Sequence, residues 1–161
     1  MPILNAVLQG EATDKQGNKK RLAPADALVL QGPIVQVRLS ATPNVRQPIL
    51  SAGGTLPNPV AGMALIDTGA AVSCIDDDVA IALKLPVTGT GFMTSATHTG
   101  QPRNLYPVEI EIAGWPIKFG SNRIMGANLK PQQLVALIGR DLLKNCVLVY
   151  NGPTGGFSLS I

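Results

Sequence analysis

Apolar and polar positions in this chain alternate in short runs, mostly with a period of two. Val108, Ile110 and Ile112 alternate with Glu109 and Glu111, the pattern of a strand with one buried and one wet face. Residues 27–30 and 34–39 read as a strand pair, or as one strand interrupted at Gly32-Pro33. Further extended runs are expected at 63–66, 74–75, 92–96, 105–112, 135–138, 147–150 and 157–161, and a turn at Ala113-Gly114 leads into 115–119. Helical signals are few and short. Asp76, Asp77 or Asp78 offers an N-cap for a helix over 79–83, stopped before Pro86, and residues 140–145 form a second. Residues 9–24 are polar and read as a loop, and residues 97–102 have turn chemistry. Residues 41–60, with four prolines and two glycines, read as a long connection or an insertion.

Composition agrees with this pattern. The chain has 161 residues, 45% of them apolar and 14% charged, with 17 Gly and 13 Pro. That size suits one domain with a real core, and the Gly and Pro content disfavours long helices. The expectation is a single all-β domain over 1–161, with residues up to about 24 as a possible N-terminal arm. The net charge of +3 owes much to Lys15, Lys19, Lys20 and Arg21. This stretch has no interleaved aromatics and reads as a solvated loop rather than an anion-binding patch, so nucleic acid is not an expected partner. No apolar run reaches the roughly 18–20 residues that span a bilayer, and the N-terminus lacks a signal-peptide pattern. A cytoplasmic protein with no membrane partner is expected. Cys74 and Cys146 have no metal-ligand spacing and are expected as reduced thiols, with no metal and no cofactor.

The most specific chemistry lies at Ala64-Leu65-Ile66-Asp67-Thr68-Gly69-Ala70. An apolar strand delivers one acid into a turn of small and hydroxyl residues. Gly69 allows close approach, Thr68 and Ser73 offer hydroxyls that can hold the loop, and Ala70 adds no bulk. A second copy of the tripeptide Ala-Leu-Ile stands at 136–138, ahead of Gly139 and a helix pattern. The chain thus carries two similar segments, of which only the first ends in an acid.

Asp67-Thr68-Gly69-Ala70, followed by Ser73 and Ile75, resembles the active-site segment of the retropepsin-like (retroviral-type) aspartic proteases. Leu137-Ile138-Gly139-Arg140-Asp141-Leu142-Leu143 resembles that family's second signature, and the resemblance covers about residues 60–161. It implies a closed or partly open β-barrel with a flap hairpin and one or two short helices. It also implies a homodimeric endopeptidase acting on peptide or unfolded-protein substrates. Carried onto this sequence, Asp67 is the catalytic acid and base, Thr68 braces the paired loops, and Ser73 supports them. Gly69 and Ala70 meet the substrate, and Gly139 and Arg140 are structural. Leu65, Val135 and Leu137 shape side-chain pockets or are simply core. The flap falls at 95–101, so His98, Thr99 and Gly100 would touch substrate, with His98 either an exposed turn residue or a pH-sensitive contact.

The chain departs from the viral pattern in three places. Ala71 stands where many viral members have a second acid, which removes an expected partner of Arg140 and leaves Asp141 or the acids at 76–78 as replacements. The flap segment has Thr, Ser and His around a single Gly100. The first sixty residues are longer than in viral members, and the role of residues 1–8 is open. Two other functions fit the same residues: a peptide- or protein-binding dimerisation module that cleaves weakly or not at all, and a structural dimerisation domain in which Asp67 only orders its loop.

Overall fold

In the computed structural model the two Ala-Leu-Ile tripeptides are hydrogen-bonded neighbours. Ala136 faces Ala64, Leu137 faces Leu65 and Ile138 faces Ile66, in parallel register. The structure describes residues 2–93 and 100–161. Within them the chain runs β1 (Ile3–Val7), β2 (Glu11–Thr13), β3 (Lys19–Arg21), α1 (Pro24–Gln31), β4 (Ile34–Ala41), α2 (Pro43–Ser51), β5 (Val60–Ile66), β6 (Cys74–Asp76) and α3 (Asp77–Ala82). It continues through β7 (Gly89–Met93), β8 (Gln101–Ile112), β9 (Lys118–Ala127), β10 (Ala136–Ile138), α4 (Arg140–Leu143), β11 (Val147–Asn151) and β12 (Gly156–Ser160).

The main sheet has the order β4-β5-β10-β6-β9-β8-β7, and β4 also pairs with β8. Six strands therefore close into a barrel, with β7 attached outside the ring to β8. Closure leaves these six strands without a free edge. The all-β expectation holds at this level. The inward side chains are those the alternation marked: Val108, Ile110 and Ile112 are fully buried, as are Val37, Leu39, Ala64, Ala136 and Ile138. Glu109 and Glu111 face outward and pair with cations. Arg46 reaches Glu109 at 3.0 Å, and both Lys118 and Arg38 reach Glu111 at 2.7 Å. Lys118 and then Arg38 hold the Glu111 carboxyl below its ordinary range.

The role of residues 1–8 was left open by sequence, and Ile3–Val7 among them have a clear place. β1 pairs with β12, which pairs with β11, in a separate three-stranded antiparallel sheet built from both ends of the chain. Its inner face adds Leu4, Phe157 and Leu159 to the core. Its outer face leaves Ile3, Val7, Val147 and Val149 half or more exposed.

Several expectations are corrected. Residues 27–30 form part of α1, not a strand. Pro24 opens the first turn with its φ already helical, Asp26 stands at the positive end of the dipole, and Gly32 at φ 70° ends the helix. Ala27 and Leu28 are buried while Val29 and Leu30 are exposed, a one-sided pattern too short to show a helical period. The polar loop at 9–24 contains the β2–β3 hairpin, closed by Asp14, whose Oδ1 accepts from the backbone of Gln16 and Asn18. Both its faces are wet, so no alternation marks it. The insertion at 41–60 contains α2, whose first residue is again a proline. Gln101 and Pro102 already belong to β8 rather than to a turn, while β9 begins only at Lys118, leaving Trp115 in the turn after β8. The expected flap at 95–101 lies outside the described residues except for Gly100 and Gln101, and His98 and Thr99 lie outside them too.

Gly155 joins the terminal sheet to α1. Its φ is +66°, and an added Cβ would fall about 2.0 Å from the Pro24 carbonyl carbon. Its carbonyl accepts from Leu8 N at 2.9 Å. Gly155→Ala is expected to destabilise the fold by about 1–3 kcal/mol, from backbone strain plus displacement of α1. The midpoint of urea unfolding measures it, and an unchanged midpoint would contradict this account of the packing.

Candidate functional site

Strand β5 ends at buried Ile66, and the next residue turns out of the barrel. Asp67 N donates to Ile138 O at 2.9 Å, so the loop starts on its parallel neighbour. The Asp67 carboxylate then organises its own turn. Oδ1 accepts from Gly69 N at 2.8 Å and Ala70 N at 3.1 Å. No hydrogen bond reaches Oδ2 from the described residues. Asp67 is half-buried, and Thr68 and Gly69 are exposed. A Cβ on Gly69 would stand 3.0 Å from Asp67 Oδ1, a contact tighter than a side chain normally makes, so glycine lets the amide approach the carboxylate.

Arg140 does not need the acid that Ala71 fails to supply. Its Nη1 donates to Thr68 O at 2.7 Å and Gly69 O at 2.9 Å. Its own backbone N donates to Ala70 O at 3.0 Å. A guanidinium bound to two carbonyls fixes the turn and leaves the loop with a local positive charge. The acids proposed as substitutes are used elsewhere. Asp76 caps α3 through Asp78 N and also accepts from Leu129 N at 2.8 Å. Asp78 pairs with Lys130, and Asp77 stands 3.7 Å from Arg103.

Beneath the turn lies a latch centred on the fully buried Ser73. Ser73 Oγ accepts from Gly139 N at 2.8 Å and donates to Asp141 Oδ1 at 2.6 Å. The same carboxylate oxygen accepts from Ser73 N at 2.9 Å and from Leu142 N at 3.0 Å. Ser73 thus ties the loop to α4 through Asp141, which the sequence suggested only as a substitute partner for Arg140. Gly139 is required by backbone proximity, since an added Cβ would stand 2.8 Å from the carbonyl carbon of Val72 and 3.0 Å from Ser73 N.

A cleft of about 760 Å³ opens beside the Asp67 turn, lined by Gly69, Ala70 and Leu137. Its floor is a second small apolar cluster, with Cys74, Met125, Ala127 and Leu129 buried and Met93 and Leu137 packed on them. Strand pairing explains this floor. β10 lies between β5 and β6, so Leu137 sits beside Leu65 on one side and Cys74 on the other. Burial pushes the Cys74 thiol up to about 11, with Asp141 and Asp67 adding to the shift, so the sulfur is a neutral wall at physiological pH. Phe92, 73% exposed, stands at the rim.

Other predicted residues fall elsewhere. Leu65 is half-buried next to Leu137 but does not line the cleft. Val135 packs over Gly62, where a Cβ would meet it at 2.4 Å, and lines a separate hollow with Val60. Gly100, at φ 68°, is exposed just before β8. Phe92, Met93, Arg103, Met125 and Leu129 were not legible as cleft residues. They come from β7, β8, β9 and the turn after β9, and only barrel closure brings them together.

Among the described residues, no group of three or more His, Cys, Asp or Glu converges as a metal site, and no helix is long and apolar enough to cross a membrane. No family model and no curated protein matches the chain.

Ser73→Ala is expected to cost about 1–3 kcal/mol of unfolding free energy, because it leaves Gly139 N–H without an acceptor in a buried site. Denaturant titration measures the loss, and a value near zero would remove the latch. Cys74 should resist iodoacetamide in the folded protein at pH 8 and gain reactivity only as the pH climbs toward 11, where the thiolate forms. Mass spectrometry of the labelled peptide reads this, and fast labelling at pH 8 would show the thiol to be solvated.

Proposed function

We propose that this chain is one subunit of a homodimeric aspartic endopeptidase of the retropepsin type. The observation that carries the reading is one acid, Asp67, held by the backbone amides of its own turn at the edge of an apolar cleft sized for peptide side chains. The Asp-Thr-Gly-Ala sequence resemblance points the same way.

The chemistry explains why one acid per chain calls for a second chain. Peptide hydrolysis by water needs a group to accept a proton and a group to donate one. Two carboxylates about 3 Å apart do not both ionise readily, so they share a proton, as in the aspartic proteases. The ionised Asp67 takes a proton from water as the oxygen attacks the scissile carbonyl carbon. The protonated Asp67 of the second copy donates to the carbonyl oxygen. Collapse of the tetrahedral adduct breaks the C–N bond and returns a proton to the amine. The two copies then exchange roles, and the pair titrates as a unit.

The surrounding residues fit these roles. Gly69 and Ala70 edge the cleft, where Gly69 would meet an extended substrate backbone. Thr68 is exposed on the turn, available to a partner loop. Arg140 and the Ser73–Asp141 latch keep the turn from relaxing, since a small displacement of a dyad is costly in rate. The outer face of the terminal sheet, with Ile3, Val7, Val147 and Val149 exposed, offers apolar area for association.

One observation favours a second reading. The bonds that Gly69 N and Ala70 N make to Asp67 Oδ1 are also those of an aspartate that merely orders a turn. A retropepsin-fold peptide-binding module would keep them without cleaving. Asp67→Asn separates the readings, because the amide oxygen still accepts from both amides and the turn survives. Cleavage of an unstructured protein such as casein is expected to fall by roughly 10²–10⁴-fold in this variant, with dimerisation intact. Specific activity of the wild type should also fall on dilution as dimers dissociate. Equal activity of wild type and Asp67→Asn would end the protease reading.

A further inference from the structure

Arg103 is the one charged side chain among the described residues that line the cleft beside Asp67. It lies on β8 opposite Gly91 of β7, so no cross-strand side chain covers its stem. Its guanidinium is poorly matched among the described residues. The only ion-pair contact among the described residues is Nη1 to Asp77 Oδ2 at 3.7 Å, beyond hydrogen-bond length, with both side chains more than a third exposed. Nε is buried and has no hydrogen-bond partner among the described residues. Asp77 is itself a reluctant anion, because burial raises its carboxyl above the ordinary range despite the opposing pull of Arg103.

A guanidinium carries five N–H donors in a fixed planar fork, suited to a carboxylate gripped by two of them. Here the fork borders a floor of Met93, Met125, Leu129 and a neutral Cys74 thiol. The polar neighbours on that lining, Asn128 and Gln132, carry amides and no charge. In apolar surroundings an incoming carboxylate gains most from such a cation. A lysine side chain would be repelled, and an aliphatic one would leave the donors unmet.

We infer that Arg103 makes this cleft a subsite for an acidic side chain, so that the protein prefers extended peptides carrying Glu or Asp at the position seated on β8. The inference rests on the proposed peptide cleft and gives it a substrate class. Arg103 is a specificity residue that touches substrate away from the scissile bond.

The test uses one extended peptide with Glu, Gln or Lys placed in turn at each position. Binding to the Asp67→Asn protein is read by fluorescence anisotropy, and cleavage by the wild type is read in parallel. At one position Glu should bind about tenfold or more tighter than Gln, with Lys weakest. Adding Arg103→Gln should bring the Glu-to-Gln ratio close to one, and Arg103→Lys, which keeps the charge, should restore part of it. A Glu preference that survives Arg103→Gln in a protein with an unchanged melting temperature overturns the inference. Equal binding of all three peptides at every position, or binding of none, does the same. Binding with the expected charge preference but no cleavage by the wild type would remove the protease reading and keep the acidic subsite. Cleavage without any charge preference would do the reverse.

Discussion

The site depends on one pairing, the parallel register of Ala64-Leu65-Ile66 against Ala136-Leu137-Ile138. Three residues a side make a short ladder, yet it fixes much of the surroundings. It sends Ala64, Ile66, Ala136 and Ile138 into the barrel and turns Leu65 and Leu137 to the other face. It puts Ile138 O where Asp67 N can use it, so the acid leaves the strand at a defined height. It also brings Gly139 against Val72 and Ser73, close enough that no side chain fits between them. A slip of one residue would turn the slipped strand's apolar set out of the barrel and destroy the core and the turn together.

The polar contacts around this pair have different roles. The Ser73–Asp141–Gly139 latch is centred on buried Ser73 and joins the loop after β5 to the start of α4, so it sets position. Arg140 is exposed and grips carbonyls of the turn, so it shapes the loop from outside. Neither consumes the Asp67 carboxylate, which is bound on one oxygen by amides of its own loop. That division suits a carboxylate meant for an external partner. Arg103, across the cleft, has the same character with the opposite charge, a group incompletely matched among the described residues.

The sequence made the barrel strands legible where one face is buried and the other wet. Val108, Ile110 and Ile112 with Glu109 and Glu111 are the clearest case, and the strands ending at Ile66 and Ile138 were also placed correctly. It misled where both faces share one character. The β2–β3 hairpin is polar throughout, and residues 27–30 are apolar throughout, so neither shows a period. Capping chemistry would have identified α1, since a proline opens it and a glycine with positive φ closes it. Of the site, the turn and its support were legible because they are local in sequence. The cleft floor was not, because Met125 and Leu129 reach Leu137 only through the crossing of β9, β6 and β10. The duplicated tripeptide was visible as an echo, but nothing in a list of residues says that two echoes pair with each other.

That pairing bears on why the second Ala-Leu-Ile leads to Gly139 rather than to an acid. A carboxylate at 139 would have to occupy the space now filled by the backbone of Val72 and Ser73, and the latch would be lost. The second segment serves to hold the first. A single chain with this arrangement therefore has no room for an acid at the equivalent place, and in the proposed two-carboxylate chemistry the other half comes from a second copy. The exposed turn at Thr68 and Gly69 faces that requirement, because the residues beneath it are already fully engaged with one another.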